Sequence, residues 1–148
     1  MGLKGKLAVS MEVKCGGHLF HDLYQTKPHH VSNISPNKVT GFDLHEGGIG
    51  EVGSVVTWKY KEDGNEKIAK CVIEEVMDDE KKSITWKGIE GDLLERYNAF
   101  TVNISCDQHW ITWTFVYEKK TEDTPEPLTF LGYVTDLTKD IEAHHVEK

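Results

Sequence analysis

The chain has 148 residues, 38% hydrophobic and 28% charged, which suits one folded domain and argues against a disordered segment. Its formal net charge of −8 opposes non-specific attachment to RNA, DNA or anionic membranes, whose phosphates it repels on average. No apolar run approaches the ~20 residues of a membrane span, so stable membrane insertion is not expected.

The first element runs from Leu3 to Cys15. Leu3, Leu7, Val9, Met11, Val13 and Cys15 fall on odd positions, while Lys4, Lys6, Ser10, Glu12 and Lys14 fall on even ones. That is the period of a half-buried strand. The segment has neither the continuous apolar stretch nor the small-residue cleavage site of a signal peptide. Lys6 stands where a myristoylation signal carries Ser or Thr. The expected compartment is the cytoplasm. Cys15, Cys71 and Cys106 are odd in number, far apart and without metal-ligand spacing, so free thiols and no disulfide are expected.

Leu19, Phe20, Leu23 and Tyr24 then lie at helical spacing, ended by Lys27-Pro28. Pro28 starts a second short helix down to Asn33, which Pro36 closes. Six strands follow: "NKVTGFDLH", "SVVTWKYK", "KIAKCVIEEVM", "KSITWKGIE", "FTVNISC" and "HWITWTFVYEK". Asp63-Gly64 marks a tight hairpin after the second of these. Thr124 to Pro127 stop the sheet and open a helix with one apolar stripe: Phe130, Leu131, Val134, Leu137 and Ile141. Consecutive hairpins imply an antiparallel sheet with one hydrophobic face, and only the last helix is long enough to cover it. Bulky residues form the inward sets: Val56, Trp58 and Tyr60; Ile84 and Trp86; Phe100, Val102 and Ile104; Trp113, Phe115 and Tyr117. In "KIAKCVIEEVM" neither parity is clean. Ile68, Lys70, Val72, Glu74 and Val76 share one face, and Ala69, Cys71, Ile73 and Glu75 the other. A long sheet around one helix leaves two alternatives open, an internal cavity or a solid aromatic core.

The stretch His45 to Ser54, "HEGGIGEVGS", has four glycines. Gly48 and Gly53 have phosphate-loop spacing, but Ser54-Val55 follow, without lysine, and lead into a strand rather than a helix. Glu46 and Glu51 repel a phosphate. Nucleotide binding is rejected; a rigid turn is the expected role, with backbone contact to a ligand headgroup as the alternative. His18 and His21 are one helical turn apart but have no third ligand beside them, so no metal is expected. His144 and His145 complement the dipole at the end of the last helix.

These stretches also carry a family resemblance. "MGLKGKLAVSMEVK", "KPHHVSNISP", "HEGGIGEVGSVVTWKY", "IEGDLLERY", "TWTFVYEK" and "DIEAHH" cover the whole chain in order. They resemble plant major latex proteins, of the Bet v 1-like and START-like superfamily. The resemblance implies a single α+β domain over 1–148 with a helix-grip fold. In that fold a curved seven-stranded antiparallel sheet surrounds a long C-terminal helix, with two short helices after the first strand. It also implies an internal cavity that carries a hydrophobic or amphiphilic molecule, linked to plant defence and stress. Candidate classes are fatty acids, lysophospholipids, sterols, flavonoids and hormones.

No cofactor and no nucleic acid partner are expected, and monomer and weak dimer both stay open. The expected pocket is lined by Met11, Val13, Val56, Trp58, Tyr60, Ile68, Ile84, Trp86, Phe100, Val102, Trp113, Phe115, Phe130, Leu131, Val134, Leu137 and Ile141. Leu23, Tyr24 and Ile34 close one end. The resemblance favours the Ile68 face as inward, which makes Lys70 a candidate partner for an anionic headgroup, with an ammonium that reaches the strand edge as the alternative. Ribonuclease activity, proposed for relatives, leans on glutamates matched here by Glu90 and Glu142, but His144 replaces the accompanying tyrosine. Norcoclaurine-synthase-like catalysis needs a buried lysine with acid partners, and no such set is evident. The expected protein is a non-catalytic carrier. Its rivals are an enzyme of the same fold or a ligand-dependent interaction module.

Overall fold

A computed structural model describes residues 3–78 and 82–146. The elements run β1 (Lys4–Glu12), α1 (Gly17–Thr26), a 3₁₀ turn (Pro28–His30), α2 (Val31–Ile34), β2 (Val39–Glu46) and β3 (Val55–Glu62). They continue with β4 (Asn65–Asp78), β5 (Lys82–Gly91), α3 (Leu93–Arg96), β6 (Tyr97–Cys106), β7 (Trp110–Lys119) and α4 (Leu128–Val146). The seven strands form one sheet in the order β1-β7-β6-β5-β4-β3-β2, antiparallel at every pairing. This is the expected helix-grip fold: one face of a curved sheet covered by a long C-terminal helix.

Strand β1 alternates half-buried and exposed residues throughout, as its period-two sequence dictates. It pairs with β7 so that Leu7 meets Phe115 and Val9 meets Trp113. Gly5 is required there, because a Cβ would stand 2.5 Å from the Tyr117 ring. The Asp63-Gly64 turn has positive φ at both residues, 53° and 79°, the geometry of a two-residue hairpin loop. It sets the register that follows, with Trp58 opposite Ala69 and Thr57 opposite Lys70. Residues directly opposite share a face. Ala69, Cys71 and Ile73 are therefore the buried set of β4, and Ile68 is 47% exposed. The expected inward parity of this strand is corrected by one residue, which moves the whole set to the other face.

The glycine-rich loop is fastened to its neighbours. Gly53 N–H donates to the Ile73 carbonyl at 2.8 Å, and Ser54 Oγ donates to the Gly48 carbonyl at 2.6 Å. Gly50, at φ +71°, lies so close to α1 that a Cβ would be 2.3 Å from the Gln25 carbonyl oxygen. Its glycines permit a turn and a close approach, consistent with a structural role.

Helix α4 buries Phe130, Val134, Leu137, Thr138 and Ile141 against the sheet, with Leu131 half-buried. Trp113 Nε1–H donates to Thr138 Oγ1 at 2.9 Å, and that hydroxyl donates to the Val134 carbonyl at 2.8 Å. Asp140 ties the helix to the α2–β2 junction by accepting from Ser35 at 2.7 Å and Lys38 at 2.6 Å. Burial works to raise its pKa, but the two hydrogen bonds and the Lys38 charge outweigh that and hold it below the ordinary carboxylate value.

Candidate ligand-binding site

Beneath α4 lies an apolar cavity of about 90 Å³. Strands β3 to β7 contribute Trp58, Tyr60, Ala69, Cys71, Trp86, Val102 and Trp113. Helix α4 contributes Phe130, Tyr133, Val134 and Leu137, while Tyr24, Val39 and Leu93 complete the wall. No charged side chain lines it. Its size reflects how much aromatic volume points inward. Tyr24 reaches in from α1 and packs edge-on against Trp86 and Trp113, with ring centroids 5.8 and 5.6 Å apart. Both alternatives left open by the sequence pattern are thus realised in part: an aromatic core surrounds a small void.

A wider recess of about 380 Å³ adjoins it, sharing Tyr60, Leu93 and Phe130 as walls. This mouth lies between the β3–β4 hairpin, α3 and the start of α4. Four carboxylates line it, Glu62, Asp63, Asp92 and Glu95, against two cations, Lys67 and Arg96. Glu62 is buried and pairs with Lys67 Nζ at 3.0 Å. Asp92 accepts the Ile68 N–H at 2.7 Å, fixing the turn into α3.

Of the expected pocket residues, Tyr24, Trp58, Tyr60, Trp86, Val102, Trp113, Phe130, Val134 and Leu137 line the cavity. Val13, Leu23, Val56, Ile84, Phe100, Phe115 and Ile141 are buried in the surrounding core, and Met11 and Leu131 are half-buried. Leu23 and Ile34 line a separate groove of about 280 Å³ beside His30, His144 and His145. Ile68 and Lys70 are misplaced by the sequence reading. They lie on the opposite side of the sheet, in a shallow depression with Asp43, His45 and Lys59, where Lys70 Nζ is 3.6 Å from Glu90. Lys70 does not reach the cavity.

Five wall residues escaped the sequence reading. Ala69 and Cys71 follow once the hairpin register is known. Tyr133 lies one helical turn from Phe130, beside the stripe already recognised. Leu93 belongs to the four-residue α3, too short to give a periodic signal. Val39 is the first residue of β2.

Three wall tyrosines hold raised pKa values, Tyr24, Tyr60 and Tyr133, each chiefly through burial. Cys71 is a free thiol that burial pushes up to about 12, which keeps it protonated and weakly nucleophilic. Glu90 and Glu142 are engaged by different partners: Glu90 faces Lys70, and Glu142 accepts the Lys14 N–H at 2.5 Å. His21 is buried with Nδ1 3.9 Å from Asp78, whereas His18 is exposed. Among the described residues no three His, Cys, Asp or Glu side chains gather as a metal site, and no helix is long and apolar enough to cross a membrane.

Known proteins carry the same pattern. Residues 2–148 match the pathogenesis-related protein Bet v 1 family. MLP-like protein 43 of Arabidopsis thaliana is 40% identical over 96% of this chain and 93% of its own length. The crystal structure of major latex-like protein 151 from Panax ginseng superposes with a TM-score of 0.94, at 43% identity over 97% of this chain and 99% of that one. Norcoclaurine synthase from Thalictrum flavum, in complex with dopamine and hydroxybenzaldehyde, shares the fold with a TM-score of 0.73. It is 19% identical over 97% of this chain and 87% of that one. The seven-stranded sheet, the gripped helix and the likeness along the whole chain together place this protein in the Bet v 1 family, within its major latex protein group.

Proposed function

We propose that the protein binds a hydrophobic or amphiphilic small molecule and carries it inside the plant cell, in a defence or stress setting, without transforming it. The observation that supports this is the apolar cavity, which shares Tyr60, Leu93 and Phe130 as walls with the polar recess beside it. The recess falls within the ~300–1,000 Å³ of small-molecule sites, and the cavity, at about 90 Å³, is smaller. Apolar surface entering the cavity gains about 25 cal/mol per Å², and polar groups stay at the mouth. The cavity wall holds no carboxylate, imidazole or amine, and its titratable groups, three tyrosines and Cys71, are kept protonated by burial, so it offers no ready general base. The likeness to norcoclaurine synthase, at 19% identity, is a likeness of fold.

Native mass spectrometry of protein purified from plant tissue tests the reading. The expected result is a retained small molecule, near one per chain, that organic extraction removes. Protein that carries no such mass and takes up no apolar probe overturns it. A turnover of that molecule that fails in Glu90→Gln or Glu142→Gln favours an enzyme instead.

A further inference from the structure

Of the five tyrosines, three have partners for their hydroxyls. Tyr97 donates to the Pro125 carbonyl at 2.6 Å, Tyr117 to the Glu126 carboxylate, and Tyr133 to the Lys38 carbonyl at 2.7 Å. The remaining two, Tyr24 and Tyr60, are 6% and 4% exposed, and their hydroxyl oxygens have no partner among the described residues. Both line the apolar cavity, and Tyr60 also lines the mouth. A buried donor without an acceptor is costly, and native interiors seldom keep two in one place. We propose that Tyr24 and Tyr60 are the polar anchors of the cavity. Its preferred occupant is then an uncharged ring compound with a hydrogen-bond acceptor, such as a carbonyl or ether oxygen, that takes their O–H groups.

This rests on the binding function proposed above and narrows its ligand class. An anion is disfavoured, because no cationic side chain lines the cavity and a desolvated carboxylate without a counter-charge is far costlier than an unpaired hydroxyl. A plain hydrocarbon fills the space but leaves both donors unmet. Trp58, Trp86 and Trp113 supply flat walls for a ring. The edge-on packing of Tyr24 on Trp86 and Trp113 fixes the direction of its ring, so its donor is held in place before the ligand arrives. Burial raises both phenol pKa values, so both remain donors through neutral and mildly alkaline pH.

The test uses three single-ring probes: acetophenone, its hydrocarbon isostere α-methylstyrene, and benzoate. Binding is followed by NMR at the indole N–H signals of Trp58, Trp86 and Trp113. The expected result is that Tyr24→Phe and Tyr60→Phe each lower the affinity ratio of ketone to hydrocarbon. The double variant lowers it about tenfold, the effect of one to two net hydrogen bonds. Hydrocarbon affinity is unchanged, benzoate binds most weakly, and each variant melts at or above wild type, since an unpartnered hydroxyl has been removed. A ratio unchanged in the double variant overturns the proposal, as does benzoate binding most tightly. A clear fall in melting temperature in both single variants also overturns it, because the hydroxyls are then structural. If none of the three probes moves the indole signals of wild-type protein while a larger uncharged fluorescent apolar probe binds, this proposal alone fails; if that probe does not bind either, the binding function fails with it.

Discussion

Lys70 shows how much a single residue's direction decides. Placed inside, it selects anionic ligands; placed outside, opposite Thr57 and near Glu90, it is a partly exposed surface cation. Lys70→Met is therefore expected to leave the affinities for a fatty acid and its methyl ester within about twofold of wild type. Stability should change by no more than the ~0–1 kcal/mol typical of a surface ion pair. Calorimetric titration of both ligands checks this, and loss of acid binding in the variant contradicts it. The sequence left both faces of β4 open because each carries charged and apolar residues. Only the hairpin register, a pairing between distant positions, resolves the strand. Tyr24 was legible as a residue near one end of the pocket. That its hydroxyl has no partner was not, since a missing hydrogen bond is a property of the assembled interior.

At the scale of elements, α4 was legible from its apolar stripe, the hairpin from Asp63-Gly64, and β1 from strict alternation. Each is a local pattern with a local cause. Helix α3 was not, although its Leu93 reaches the cavity and its Glu95 and Arg96 line the mouth. Thr138 was also passed over, because a polar residue interrupts an apolar stripe. In the fold it is fully buried and accepts the Trp113 indole N–H while donating to its own helix. Thr138→Val keeps the shape but strands the indole donor, so a loss of about 1–3 kcal/mol is expected. Urea unfolding of wild type and variant measures it; a loss below about 0.5 kcal/mol contradicts the hydrogen bond's importance. The cavity wall on the β7 side should loosen in the same variant, because Trp113 is one of its residues.

The whole molecule is a sheet that uses most of its bulky residues to enclose one helix, leaving a small void and an acidic mouth. Among the interior groups whose pKa values burial raises are Tyr24, Tyr60 and Tyr133, and the thiols of Cys71 and Cys106, both pushed up to about 12. In the unfolded chain the thiols release their protons near ~8.5 and the phenols near ~10. The unfolded state therefore loses protons first as pH rises, and the stability contributed below ~8.5 is lost progressively above it. The urea midpoint is expected to fall steadily between pH 8 and pH 11, and an unchanged midpoint contradicts the burial of these groups.

The central claim is that the apolar cavity is the binding site. Ala69 stands on its wall, where leucine's longer side chain occupies much of the roughly 90 Å³ void. Titration of an uncharged fluorescent apolar probe into wild type and Ala69→Leu tests this most directly. The account predicts saturable binding near one site per chain in wild type, and at least about a tenfold loss in a variant that remains folded by circular dichroism. Equal affinity in both folded proteins would contradict it and place the probe elsewhere on the molecule.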